Sequence, residues 1–348
     1  MFMKKGISVI ICLYNAEQRI KKVLGCLLAQ QNHDRIEWEV ILVDNASTDN
    51  SVAIARQTWN HPRVPLHIIS EPQQGQSYAT RTGIKNAAYD IIIMVDDDNY
   101  ISPNYISRAY EIMEAHPEVG IAGGRGIGVF EKEPPAWLEN FEQALAIGPQ
   151  ADAEGYVDDS RGYIYGAGSI IRKPVYDYLI SNNFELMLKG RIGKSLVAGE
   201  DSERCHAFRI LGYKLWYDPF LEFGHQMPAA RTDWKYIRKL YKSFGRASAY
   251  HGLYQEILKN PKGIRSLVAQ NVLLSVLHTL YLLLPALPAH ILISATGSDA
   301  GKKKVIRFDY LWGRLYELIN GMGKVKRYRK RLKNAPWREN TGQLKKTT

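Results

Sequence analysis

The sequence predicts an α/β protein on a doubly wound, mostly parallel sheet. Two observations carry that expectation: apolar β-branched runs alternate with helix-period segments over the first hundred residues, and acidic clusters follow two of those runs. Ile7–Leu13 is a continuous apolar run, the pattern of a strand buried on both faces. Asn15 is placed as an N-cap with Gln18 at the third helical position, and Ile20, Val23, Leu24, Leu27 and Leu28 follow at helical spacing. A second strand, Glu39–Val43, ends on Asp44, and Ser47, Thr48 and Asp49 open the next helix. Leu66–Ser70 reads as a third strand and Gln76–Ala88 as a third helix. A fourth strand, Ile91–Val95, runs into Asp96-Asp97-Asp98-Asn99, and Ser102-Pro103 starts a helix reaching about Ala115. Ligands of such sheets bind beyond the carboxyl ends of the strands, where Asp44 and Asp96 fall.

Residues 117–230 are less regular and read as α+β; residues 231–348 read as a helical C-terminal extension. The chain has 348 residues, 45% hydrophobic and 23% charged, with a mean hydropathy of −0.28, which excludes disordered, collagenous and polytopic membrane classes. Cys12, Cys26 and Cys205 lack metal-ligand spacing and read as reduced thiols. The net charge of +11 is unevenly spread. Residues 1–230 hold 22 Lys+Arg against 29 Asp+Glu, a net −7, whereas residues 231–348 hold 24 against 6, a net +18. The basic third therefore points to an anionic partner. Within it, Ser266–Ser298 is 33 residues without a charged side chain. That length would allow one membrane crossing, but both flanks are rich in Lys and Arg, so a segment broken near Pro285 that dips into a membrane surface fits better.

Asp96-Asp97-Asp98 packs carboxylates closely, and a divalent cation such as Mg²⁺ or Mn²⁺ is the usual remedy for their repulsion. Glu200 and Asp201 follow Gly199 at a second acidic site, and Arg231, Arg238, Lys239, Lys242 and Arg246 form a basic stripe on a helix.

Taken in order, these segments resemble the family-2 inverting glycosyltransferases of GT-A fold from about Ile7 to Arg246. Ile7-Ser-Val-Ile-Ile-Cys-Leu-Tyr-Asn15 is similar to the opening strand, Val43-Asp-Asn-Ala-Ser-Thr-Asp49 to the nucleoside-holding motif, and Asp96-Asp97-Asp98 to the family's DxD. Gly166-Ala-Gly-Ser-Ile-Ile-Arg172 resembles the acceptor-side segment, and Gly199-Glu-Asp201 the Glu-Asp motif, with Gly212-Tyr213 and His225 behind it. The resemblance implies a Rossmann-like nucleotide-binding half over residues 1–116 and an acceptor half over 117–230. It implies that Asp44 and Asn45 bind the donor base, that Asp96 and Asp97 contact substrate, and that Asp98 and His225 hold Mg²⁺ or Mn²⁺. Asp201 would be the general base and Glu200 would orient the acceptor. Arg81 stands one position away from the family's phosphate-contacting arginine, in Ala79-Thr-Arg-Thr-Gly83. The implied reaction moves a sugar, UDP-linked by expectation, onto a hydroxyl of a saccharide or lipid-linked acceptor in polysaccharide or glycolipid synthesis. The implied location is the cytoplasmic face of the cell membrane, peripheral or monotopic.

Two alternatives stay open on residues alone. A sugar-phosphate nucleotidylyltransferase shares the sheet but requires a Gly-rich loop after the first strand, where Leu13-Tyr-Asn-Ala-Glu stands. A nucleic-acid binder would use Lys324–Lys333, but it leaves the acids unexplained and no nucleic-acid partner is expected.

Overall fold

In the computed structural model, described for residues 4–188, 199–260, 271–286 and 299–338, the elements follow the expected order. β1 (Ile7–Leu13), α1 (Ile20–Leu28), β2 (Trp38–Asp44), α2 (Ser51–Thr58), β3 (Leu66–Ser70), α3 (Gln76–Asn86) and β4 (Ile91–Asp96) form the first half. β5 (Asn99–Ile101), α4 (Tyr105–Ala115), β6 (Val119–Phe130), β7 (Gly155–Tyr156), β8 (Ile170–Arg172), α5 (Lys173–Ser181), α6 (Glu200–Ile210) and β9 (Lys214–Met227) form the second. Among the described residues, four helices follow: α7 (Trp234–Lys259), α8 (Val272–Leu283), α9 (Asp299–Asn320) and α10 (Met322–Lys333).

All these strands join one sheet of order β3-β2-β1-β4-β8-β6-β9-β5, with β7 also on β9. The β3-β2-β1-β4 half is parallel, while β8 pairs antiparallel with both β4 and β6, so the second half is mixed. The apolar runs of β1, β2 and β4 are explained by their two buried faces. Val9, Ile11, Val40, Leu42, Ile91 and Ile93 feed a core with α1, α2 and α4, whereas Ile10, Ile41, Val43, Ile92 and Met94 feed another with α3, α5 and α6.

Two helix starts move from their expected places. Asn15 caps nothing: it has φ 45° and its side-chain oxygen accepts from Thr48 N, so α1 opens only at Ile20. The second helix opens at Ser51, whose backbone N donates to Asp49 Oδ1. Asn15 is thus satisfied across the loop, whereas Asp49 accepts both from the start of its own helix and, through Oδ2, from Glu17 N at 3.1 Å. The acidic turn also continues into β5, which pairs Asn99 with His225 and so brings the two motifs together.

The C-terminal helices share the core of the sheet. Leu253 of α7, Val276 of α8, Leu315 of α9 and Leu332 of α10 belong to the same buried cluster as Ile10 and Ile92. α7 and α9 cross closely where each presents a glycine: a methyl on Gly245 would strike the Tyr310 carbonyl, and one on Gly313 the Lys242 carbonyl. The expected basic stripe is spent on this packing and on the site. Arg238 donates to Asp309 at 2.7 and 3.2 Å and Arg246 to Glu317 at 2.9 Å, while Arg231 faces Asp98. Of the uncharged stretch 266–298, residues 271–286 are described: α8 and a 3₁₀ turn over Leu284–Ala286. Leu273, Leu277, Leu280, Tyr281 and Leu284 are exposed there, Tyr281 to 72%. Among the described residues no helix is long and apolar enough to cross a membrane.

Candidate active site

A cavity of about 780 Å³ opens beyond the carboxyl ends of β1 and β4. Asp96, Asp97, Asp98, Glu200, Asp201 and His225 all line it, although more than a hundred residues separate the two acidic motifs. The sheet explains the convergence. β4 delivers Asp96 at its end, β5 turns Asn99 back onto β9 at His225, and α6 points its first turn at the same space.

The acids are crowded. Burial pushes the Asp96 carboxyl well above its ordinary range, and the charges of Asp98, Asp201 and Asp97 add to the effect, which His225 opposes. Gln76 donates to Asp96 Oδ1 at 3.0 Å. Asp97 turns the other way: it accepts from Tyr14 N at 3.1 Å and pairs with Arg19 at 3.0 Å, an attachment to the start of α1. Asp98 accepts from Asn99 Nδ2 at 3.2 Å and from Arg231 at 3.1 Å, with His225 Nε2 3.7 Å away. The other ring nitrogen, His225 Nδ1, lies 2.8 Å from the Leu145 carbonyl. A carbonyl only accepts, so Nδ1 carries the proton and, in the neutral ring, Nε2 presents its lone pair on the Asp98 side.

Asp201 sits in the first turn of α6, behind Gly199 with φ 130°. Its carboxylate lies against Gly166 of the Tyr165-Gly-Ala-Gly-Ser segment, so close that a methyl there would overlap its oxygens. Beside it, burial raises the Glu200 carboxyl far above the usual range, and Asp201 raises it further. A protonated Glu200 next to Asp201 is a hydrogen-bond donor where two charges would repel.

The far wall of the cavity belongs to the C-terminal extension, which no sequence motif announced. Tyr236, Tyr241, Phe244 and His251 of α7 and Tyr310 of α9 line it, opposite Tyr163 and Tyr165. Arg231 and Gln76 were likewise not singled out as site residues; an arginine in a basic cluster carries no mark of the acid it will face.

Three expected donor contacts stand differently. Asn45 lines the cavity, but its amide donates to Glu71 O and Gln73 O at 3.0 and 2.8 Å and accepts from Gly75 N at 2.7 Å, so it holds the 71–75 loop instead of facing a base. Asp44, half-buried at the end of β2, accepts from Ser47 N at 3.0 Å and is not among the lining residues. Arg81 is exposed on α3 and off the wall. One residue along a helix is a rotation of about 100°, so the displaced arginine points away, and buried Thr80 holds the inward position, 3.6 Å from Cys12 Sγ.

Among the described residues no three His, Cys, Asp or Glu side chains stand close enough to hold a metal unaided. Asp98 and His225 would supply part of a shell, the arrangement suited to a cation that takes its remaining ligands from water and substrate phosphates. The guanidinium of Arg231 on Asp98 marks the spot as one that attracts positive charge.

The model of glycosyl transferase family 2 matches residues 8–179, which include β1 through α5 and the Asp96–Asp98 cluster. This chain carries a family-2 glycosyltransferase domain. The chain is 38% identical over 119 residues to the glycosyltransferase AglE of Haloferax volcanii, covering 34% of this chain and 38% of that protein. It is 32% identical over 110 residues to the undecaprenyl-phosphate 4-deoxy-4-formamido-L-arabinose transferase of Pectobacterium carotovorum, covering 31% and 33%. These matches span about a third of each relative's length. In fold the chain resembles a mannosyltransferase of Pyrobaculum calidifontis solved with GDP-Man and Mn²⁺, with a TM-score of 0.55, 16% identity, and coverage of 91% of this chain and 89% of that one. The family match favours the transferase reading of residues 8–179 over the nucleotidylyltransferase one.

Proposed function

We propose that the protein is an inverting, metal-dependent transferase that moves a sugar from a nucleotide donor, UDP-linked first among the candidates, to a hydroxyl of a saccharide or lipid-linked acceptor. The observation that carries this reading is the gathering of Asp98, His225, Glu200 and Asp201 around one cavity at the carboxyl edge of the sheet. Asp201 takes the proton of the acceptor hydroxyl as its oxygen bonds to the anomeric carbon. The carbon–oxygen bond to the diphosphate breaks on the opposite face, the nucleoside diphosphate departs, and the configuration inverts. Glu200, kept protonated by its surroundings, orients the acceptor. Asp98 and His225 would hold Mg²⁺ or Mn²⁺, whose contribution is to neutralise charge on the leaving diphosphate. Arg231, released from Asp98, is placed to face the same phosphates.

The test is donor binding and turnover against a panel of UDP- and GDP-sugars with Mg²⁺, Mn²⁺ or chelator. Asp98→Ala is expected to abolish the metal-dependent part of donor affinity, on the order of tenfold or more. Equal affinity of wild type and variant in metal and in chelator would refute the metal assignment.

The same reading places the protein on an anionic membrane surface at the cytoplasmic face. The exposed leucines of α8 supply apolar contact, and Lys302, Lys303, Lys304 and Arg307 at the start of α9 supply matching charge. Co-sedimentation with phosphatidylserine vesicles is expected, weakened by Leu277→Glu and by high salt. No difference between anionic and neutral vesicles would overturn it.

A further inference from the structure

Glu203 stands two residues beyond Asp201 on α6 and is fully buried. Four donors converge on its carboxylate from three other parts of the chain. Met187 N and Leu188 N donate to Oε2 at 3.0 and 3.1 Å, Tyr254 Oη of α7 donates to Oε1 at 3.1 Å, and Tyr328 Oη of α10 donates to Oε1 at 2.7 Å. The rings pack on one another, with Tyr254 and Tyr328 6.0 Å apart and Tyr250 5.5 Å from Tyr328. Burial of a carboxyl is costly and raises its pKa, and the four donors oppose that rise. A group so placed makes a fixed joint, because any rotation of α6 leaves several buried donors unmatched.

The joint acts directly on the site. Asp201 and Glu203 lie two residues apart in the first turn of α6, about 3 Å along its axis, so anchoring one holds the other. Within that turn Glu203 N donates to Gly199 O at 2.9 Å and Gly199 N to Glu200 Oε2 at 3.1 Å.

We propose that Glu203 is a positioning residue, through which Tyr328 of the C-terminal α10 and Tyr254 of α7 hold Asp201 in its catalytic place. This rests on Asp201 being the base. The basic C-terminal region is then part of the catalytic apparatus and not only a surface for partners.

The experiment removes one hydroxyl at a time from the full chain. Tyr328→Phe and Tyr254→Phe keep the rings. Tyr178→Phe is the control, since its hydroxyl ties α5 to Trp337 O at 3.4 Å without touching Glu203. Amide hydrogen exchange over residues 200–204 and 187–188 is read beside the steady-state constants for transfer. Exchange is expected to quicken about tenfold in Tyr328→Phe and less in Tyr254→Phe, with kcat falling about tenfold at an unchanged donor KM. The control should match wild type in all of these. Unchanged exchange in both tyrosine variants overturns the inference, as does a fall in kcat that the control shares. If wild type transfers no sugar, the assigned reaction fails while the exchange data still decide whether the joint holds α6. Should Tyr328→Phe fail to fold, Tyr254→Phe carries the same comparison.

Discussion

Asp201→Asn should abolish sugar transfer while leaving the donor bound. Asparagine matches the shape of aspartate but takes no proton from a hydroxyl. A positioned general base contributes about 10²–10⁴-fold, and that is the expected loss in single-turnover rate. The proposed donor contacts are other residues, Asp98 just before β5 and His225 of β9, so nucleotide affinity measured by calorimetry should hold. The substitution also removes a charge that raises both Asp96 and Glu200, so the folded protein should not lose thermal stability. Near-normal transfer by this variant would show that a different group takes the proton.

Gly166→Ala is expected to be nearly as damaging, without touching an acid. The added methyl would overlap the Asp201 oxygens, and the backbone has little room to retreat. Ser169 N donates to Gly166 O at 3.1 Å, and Gly168, at φ 67°, is itself packed beneath Tyr105. The carboxylate must therefore move, and a shift of about 1 Å at a reacting group costs on the order of a hundredfold in rate. Gly252→Ala supplies the comparison. Nothing stands within 4 Å of a methyl at Gly252 in α7, so that variant should keep full activity and gain up to about 1 kcal/mol from helix propensity. Transfer kinetics and melting temperature on both variants check the pair, and an active Gly166→Ala would place the reacting carboxylate elsewhere.

The parallel half of the fold was legible because two-sided burial writes itself into sequence as unbroken apolar strands, and Ile7–Leu13 appears with its expected bounds. The acids were legible as a set because they sit at strand and helix ends. Their individual duties were not. Asn45 and Asp97 both line the cavity and also hold the fold, one bonded to the 71–75 loop and the other to Arg19 and Tyr14, partners that no local motif discloses. Arg81 shows how a shift of one position on a helix redirects a side chain. In the basic stripe Arg238 and Arg246 meet Asp309 and Glu317, acids some seventy residues away that no local pattern connects to them, while Arg231 faces Asp98 at the cavity. The aromatic wall was invisible because tyrosines at helical spacing look the same whether they fill a core or border a cleft.

The reciprocal glycines at the crossing of α7 and α9 carry a consequence for how such enzymes diversify. Tyr310 reaches the cleft through that close crossing, so residues 231–348 supply one wall of the cavity while β1 and β4 supply its floor. A chimera exchanging residues 231–348 would be expected to inherit its acceptor from one parent and its donor from the other.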